Sequence, residues 1–171
     1  MIRIVIAEDH EMLLGVIGSL LDLEDDMEVV GQARNGEEAI ALVHQFKPDV
    51  CIVDIEMSGL GLDVVEAFMP PECKVILLAT FAREGYIERA RNAGVCGYLL
   101  KDSPSEELAC SIRSINSGRQ VFSPELADDV AEKEDDATWD LNENDVMKRK
   151  AVGTVRHYLA SIMEKVKMRT G

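Results

Sequence analysis

The first hundred residues alternate between two patterns of apolar positions. Short runs of β-branched and aliphatic residues, typical of buried strands, precede longer segments in which apolar residues recur with helical spacing. Strands are predicted at 2–7, 28–33, 50–53, 74–79 and 97–100. Helices are predicted at 12–23, 36–46, 60–68, 85–93 and 105–116. Five such repeats predict an α/β domain, a doubly wound five-stranded parallel sheet with helices on both faces.

A different pattern follows residue 118. Gly118 and Pro124 interrupt the alternation, and residues 128–140 are acidic and short of large apolar side chains, as is typical of a linker. A helical period returns after Val152, with one apolar face. That face is formed by Val155, Leu159, Ile162, Met163 and Val166. The expected parts are a domain at 1–125, a linker at 126–140 and a small all-α unit at 141–171.

The charge of the chain changes sign towards its end. Of the 18 basic and 32 acidic residues, seven basic and one acidic residue lie in 147–171, so this segment carries +6 and the preceding residues −20. A basic end on an acidic body indicates an anionic partner such as nucleic acid. No apolar stretch reaches the roughly 18 residues that span a bilayer, and no signal peptide precedes the first strand, so we expect a cytoplasmic protein without a membrane partner.

The cysteines and histidines are too scattered to predict a metal or redox site. They are Cys51, Cys73, Cys96, Cys110, His10, His44 and His157. None of the paired spacings of zinc or redox motifs occurs among them. We therefore expect the cysteines to be small buried apolar residues.

Polar residues follow four of the five predicted strands. Glu8 and Asp9 follow the first strand, Asp54 the third, Thr80 the fourth and Lys101 the fifth. Because the carboxyl ends of parallel strands meet at one edge of a sheet, where such folds bind ligands, these side chains are expected to converge. Each residue alone is more often a solvated loop residue or a helix cap. Their agreement at four strand ends predicts a single site with three acids, a hydroxyl and an ammonium group.

Three carboxylates in one site require a cation, because two of them about 4 Å apart repel by roughly 4 kcal/mol at an effective dielectric constant near 20. Mg²⁺ takes one or two carboxylates and bridges to phosphate oxygens, which leaves Asp54 as a candidate nucleophile for a phosphoryl group. Lys101 and Thr80 would each bind a phosphoryl oxygen, and the added charge would draw Thr80 inward. The expected Mg²⁺ ligands are Glu8, Asp9, Asp54 and the backbone carbonyl of Glu56.

The segments IVIAEDH, DVCIVDIEMSG, VILLATF and AGVCGYLLKD contain these residues. In order and spacing they resemble the motifs of the receiver domain of bacterial two-component response regulators. The resemblance covers residues 1–125 and implies a flavodoxin-like fold, Mg²⁺ and phosphotransfer from a sensor histidine kinase to Asp54. It also implies slow self-catalysed dephosphorylation instead of metabolic enzyme activity, a conformational relay through Thr80 and Tyr98, and a homodimer on phosphorylation.

The tail GTVRHYLASIMEKVKM resembles the recognition helix of the NarL/LuxR class, whose output domain is a four-helix helix-turn-helix unit. The preceding WDLNENDVMKRK resembles the opening helix of that unit. No segment that resembles the scaffold helix stands between it and Ala151, and the closing helix expected after Gly171 is also missing. We therefore expect a helix-turn-helix domain that is incomplete as written, part of a transcription regulator that binds a two-fold operator in DNA.

Five residues of the tail are candidate DNA contacts. Arg156 and His157, near the start of the recognition helix, would touch base edges in a major groove. Thr154, Lys165 and Lys167 would hold phosphates.

The sequence departs from the family pattern in both parts. Ser58 occupies the position of a common proline, and the loop at 58–62 is one residue short. In the tail, Tyr158 replaces the usual histidine, with His157 beside it.

Two other functions use similar residues. A haloacid dehalogenase-like phosphatase combines a carboxylate nucleophile with Mg²⁺, and its Asp-x-Asp motif maps loosely onto residues 54–56. That family places its nucleophile after the first strand, where this chain has the acidic pair, so the order of the motifs argues against it. Rapid multiple turnover on a phosphomonoester would favour it. A receiver-like module that binds partners without phosphorylation is the third hypothesis, and an absence of Mg²⁺ affinity would favour it.

Overall fold

A computed structural model describes residues 1–57, 59–60, 62–81 and 85–123 of the chain. The strands are β1 (Ile2–Ala7), β2 (Met27–Ala33), β3 (Val50–Asp54), β4 (Lys74–Ala79), β5 (Gly97–Leu100) and β6 (Val121–Phe122). The helices are α1 (Glu11–Leu21), α2 (Gly36–Phe46), α3 (Leu62–Phe68), α4 (Tyr86–Asn92) and α5 (Ser105–Asn116). The linker and the helix-turn-helix unit expected at 126–171 lie outside the described residues, and so do all five candidate DNA contacts.

The strands form one parallel sheet in the order β2-β1-β3-β4-β5-β6. β3 is buried along its whole length, and its alternate residues enter two separate apolar cores. Cys51 and Val53 pack on one face of the sheet, while Val50 and Ile52 pack on the other. A parallel strand covered by helices on both faces has this continuous apolar pattern, so the predicted doubly wound fold is confirmed.

The number of strands differs from the prediction, because a sixth strand extends the edge beyond β5. Val121 pairs with Gly97 and Phe122 with Tyr98. The guanidinium carbon of Arg91 lies 4.5 Å from the centre of the Phe122 ring, which ties this edge to α4. Two residues are too few to produce a period, so the pattern of apolar positions could not reveal β6.

The ends of several helices follow from local chemistry. At the start of α2 the Asn35 side chain accepts a hydrogen bond from the Glu38 N–H at 2.8 Å, and at its end Lys47 adopts a left-handed conformation with φ 46°. The bounds of α2 and α5 are those predicted. The predicted helix at 85–93 is one residue too long at each end, since Gly85 has φ 70° and caps α4 from outside.

The cysteines are only partly as predicted. Cys51 and Cys73 are buried, and burial raises the pKa of the Cys73 thiol to about 12. Cys96 is half-buried and Cys110 is exposed on α5, so the expectation of a buried residue is wrong for Cys110. Among the described residues, no helix combines the length and apolar character that spanning a membrane requires.

Candidate functional site

The carboxyl ends of β1, β3 and β5 bring together the charged residues that sequence analysis singled out. The ladder between β1 and β2 continues one residue further, as the Glu8 N–H donates to the Ala33 carbonyl at 3.0 Å. The ladder between β4 and β5 continues in the same way, from the Lys101 N–H to the Ala79 carbonyl at 2.7 Å. These backbone hydrogen bonds fix where the Glu8 and Lys101 side chains leave the sheet.

Lys101 lies between two buried carboxylates. Its Nζ is 2.9 Å from Asp54 Oδ2 and 3.0 Å from Glu8 Oε2. Glu8 is 1% exposed and Asp54 2% exposed. The second oxygen of each acid accepts a backbone hydrogen bond, from the His10 N–H to Glu8 at 3.0 Å and from the Glu56 N–H to Asp54 at 2.9 Å. Both carboxylates are therefore held rigidly at the bottom of the site.

The electrostatics of this cluster favour additional positive charge. Burial raises the pKa of Glu8, and the neighbouring Asp54 charge acts in the same direction against the hydrogen bonds from Lys101 and the His10 N–H. Burial opposes the charge of Lys101, but its hydrogen bonds to Asp54 and Glu8 outweigh that effect and raise the pKa of Lys101. The cluster thus holds two acids against one firmly protonated amine.

Asp9 adds a third carboxylate on the solvent side. One oxygen each from Glu8, Asp9 and Asp54 lies within 4.8 Å of the others, and Asp9 is exposed. All donors are carboxylate oxygens, which suit a hard cation such as Mg²⁺. The backbone of Glu56, predicted as a fourth ligand, lies in the turn after β3, where the Met57 N–H donates to the Asp54 carbonyl at 3.3 Å. The donor set therefore fits a cation that is open to solvent on one side.

Thr80 has a partner that sequence analysis missed. It directly follows β4, and its hydroxyl donates a hydrogen bond to Glu56 Oε2 at 2.8 Å. Because β3 and β4 are neighbours in the sheet, the residues that follow them share an edge, and this adjacency was the available signal. Tyr98, the other residue of the expected relay, is fully buried in β5 with its ring centre 6.0 Å from that of Tyr86.

Comparison with known proteins agrees with this geometry. The family model described as the response regulator receiver domain matches residues 4–113. The transcriptional regulatory protein DesR of Bacillus subtilis is 48% identical over 183 aligned positions, which cover 99% of this chain and 92% of DesR. The alignment is longer than the 171 residues of this chain, so DesR contains internal positions that have no counterpart here.

Two solved structures resemble the described fold. A LuxR-family DNA-binding response regulator from Staphylococcus aureus is 35% identical, with a TM-score of 0.62 over 68% of this chain and 99% of the other. A LuxR-family two-component response regulator from Aurantimonas is 25% identical, with a TM-score of 0.72 over 77% and 96%. Neither the phosphatase nor the unphosphorylated module finds support in these comparisons. The chain belongs to the response regulators, and residues 4–113 are its receiver domain.

Proposed function

We propose that the protein is a DNA-binding transcriptional response regulator, switched when a sensor histidine kinase phosphorylates Asp54. One observation carries this proposal: the Asp54 carboxylate is buried at the end of a central strand with Lys101 Nζ 2.9 Å away. Phosphoryl transfer depends on positioning and on neutralising charge, and a fixed carboxylate beside an ammonium provides both. The similarity to regulators that are themselves named as transcriptional supports the output.

In the proposed reaction an Asp54 oxygen attacks the phosphorus of a phosphohistidine on the kinase. The new oxygen–phosphorus bond forms as the bond from phosphorus to the imidazole nitrogen breaks, and that nitrogen retains the electron pair and takes up a proton. Lys101 transfers its contact from Asp54 to a phosphoryl oxygen. Water later hydrolyses the acyl phosphate slowly, which resets the switch and makes the protein a signalling component instead of a metabolic enzyme.

The same site would hold Mg²⁺ through Glu8, Asp9, Asp54 and the Glu56 carbonyl. When bound, the ion neutralises charge on the phosphoryl oxygens and on the crowded acids. Glu8 and Asp9 directly follow β1 and Asp54 ends β3, so three carboxylates at the ends of two adjacent strands would hold the ion. The raised pKa of Glu8 supports this role, because it marks a carboxylate whose negative charge is poorly compensated.

The output of the switch would pass through Thr80 and Tyr98 to the rest of the chain. A phosphoryl group brings about −1.5 to −2 charge and three acceptor oxygens, enough to attract the Thr80 hydroxyl. We assign 1–125 to the receiver, 126–140 to a linker and 141–171 to a partial helix-turn-helix domain. In that domain Thr154, Arg156, His157, Lys165 and Lys167 would contact operator DNA. Homodimerisation would match the two-fold symmetry of such operators.

Intact-mass spectrometry after incubation with Mg²⁺ and acetyl phosphate tests the acceptor. The native protein and Asp25→Asn, which changes an exposed carboxylate outside the site, should each gain one phosphoryl mass. Asp54→Asn should gain none, because an amide is not a nucleophile at this position. An equal gain in all three proteins, or none in the native protein, would remove Asp54 from the proposed role.

A further inference from the structure

The hydrogen bond between Thr80 and Glu56 uses the only proton that the Thr80 hydroxyl can donate. A threonine hydroxyl has one hydrogen to donate, and in this structure it points to Glu56 Oε2 at 2.8 Å. The proposed function requires the same hydroxyl to donate to a phosphoryl oxygen on Asp54. The two bonds exclude each other, so Thr80 has to leave Glu56 before it can bind the phosphoryl group.

We propose that Glu56 is a positioning residue that holds the Thr80 hydroxyl in the unphosphorylated protein and thereby slows phosphorylation. This inference rests on the proposed function of Asp54. A carboxylate is a stronger acceptor than a neutral group, so the Glu56 side chain retains Thr80 while no phosphoryl group is present. The contact is a latch made of two residues, and it concerns the side chain of Glu56, not its carbonyl.

Glu56 is also tied to the acceptor through its backbone. Its N–H donates to Asp54 Oδ1 at 2.9 Å, while its side chain accepts from Thr80. One residue therefore contacts both the group that is phosphorylated and the group that responds. The phosphoryl charge arises close to the Glu56 carboxylate and repels it, which weakens the latch as the phosphoryl oxygens attract Thr80.

The two buried acids of the site, Glu8 and Asp54, are not available for this role. Both oxygens of Glu8 are engaged, by Lys101 Nζ and by the His10 N–H. Both oxygens of Asp54 are engaged as well, by Lys101 Nζ and by the Glu56 N–H. Glu56 is exposed, so its carboxylate can move into solvent when Thr80 leaves, without leaving a buried charge behind.

The size of the effect follows from the exposure of this hydrogen bond. Water competes for both partners, so the latch contributes much less than a buried charged hydrogen bond. A rate increase of about fivefold on its removal is the expected order of magnitude for one such bond.

Two substitutions separate the hydrogen bond from the charge. Glu56→Ala and Glu56→Gln both remove the negative charge, but only Glu56→Ala removes the acceptor for Thr80. The measurement is the initial rate of phosphoryl gain on Asp54 from acetyl phosphate at saturating Mg²⁺, read by intact mass. We expect Glu56→Ala to react about fivefold faster than Glu56→Gln. The gap between Glu56→Gln and the native protein then reports the loss of the charge together with the weaker acceptor strength of an amide oxygen.

The same pair of substitutions in a Thr80→Val background provides the control. Valine has nearly the shape of threonine but no hydroxyl, so the difference between Ala and Gln at position 56 should disappear. Equal rates for the two variants with Thr80 present, or a difference that persists with Thr80→Val, would overturn the latch. A native protein that gains no phosphoryl group would overturn the proposed function and the latch with it, whereas normal native phosphorylation with equal variants overturns the latch alone.

Discussion

Two clusters of charged residues in this domain have the same arrangement of charges but differ in how far they are buried. Each contains one cation between two carboxylates: Lys101 with Glu8 and Asp54 in one, Arg113 with Glu24 and Asp26 in the other. The shortest nitrogen–oxygen distances are 2.9 and 3.0 Å in the first and 2.6 and 2.7 Å in the second. The Lys101 side chain is 11% exposed and that of Arg113 40% exposed. Contact distance therefore does not distinguish the proposed reactive site, whereas burial does.

The pKa values of Glu8 and Asp26, one acid from each cluster, are shifted in opposite directions. The hydrogen bond from Arg113 lowers the pKa of Asp26, so this surface acid is held ionised. Burial raises the pKa of Glu8 despite its contact with Lys101. In the surface cluster solvent and the guanidinium satisfy the charge, and nothing is gained by adding a further ion. In the buried cluster the negative charge is poorly satisfied, which is the condition under which a metal cation binds with advantage.

Removing the cation from the buried cluster should have the largest effect. Lys101→Met leaves Glu8 and Asp54 buried without a cation, and breaking a buried ion pair in this way costs about 3 kcal/mol of unfolding free energy or more. Burial already raises the pKa of Glu8, so uptake of a proton by this acid would offset part of the cost. Urea denaturation in the presence of a chelator measures the cost directly.

Mg²⁺ should recover part of this loss, because a divalent cation can take the place of the ammonium group beside the same carboxylates. The stabilisation by Mg²⁺ is therefore expected to be larger for Lys101→Met than for the native protein. If the variant unfolds at the same urea concentration as the native protein with and without Mg²⁺, the two clusters do not differ in the way that their burial implies.

The corresponding change in the surface cluster should cost much less. Arg113→Met also removes the cation that lies between two acids. Glu24 and Asp26 are partly exposed, so water can solvate their charges after the guanidinium is gone. We expect a small decrease in unfolding free energy that shrinks further in about 1 M NaCl, where screening extends over about 3 Å. Mg²⁺ should not restore it. A loss as large as that of Lys101→Met would show that burial is not the deciding variable.

The positions of the buried cluster were predictable from sequence. A parallel sheet places the carboxyl ends of its strands at one edge, so residues that follow different strands can be assigned to one site without a structure. Glu8, Asp54 and Lys101 meet for this reason. The five main strands were predictable as well, because continuous β-branched runs between helical segments have few other folds available.

Other features depend on geometry that the sequence pattern does not contain. Arg113 and Asp26 are 87 positions apart and sit on a helix and a loop, where no ladder fixes their register. The donation from Thr80 to Glu56 depends on the rotation of the Thr80 side chain, which the sequence pattern does not determine. Cys110 is exposed because of its place around the axis of α5, which the general tendency of cysteine to be buried does not take into account.

The smallest expected effect is the contribution of the Asp26 charge to stability, and acidification tests it. The folded-state pKa of Asp26 lies below the ordinary value of 3.8, so its carboxylate contributes stability above pH 3.8 and loses that contribution as the pH falls through the folded-state pKa. Asp26→Asn should therefore be slightly less stable than the native protein at neutral pH, and the difference should shrink as the pH falls below 3.8 and vanish below the folded-state pKa. Urea midpoints across this range measure it, with Asp25→Asn as the matched exposed control outside the cluster. A difference that stays constant with pH would mean that Asp26 stabilises the fold through its shape and not through its charge.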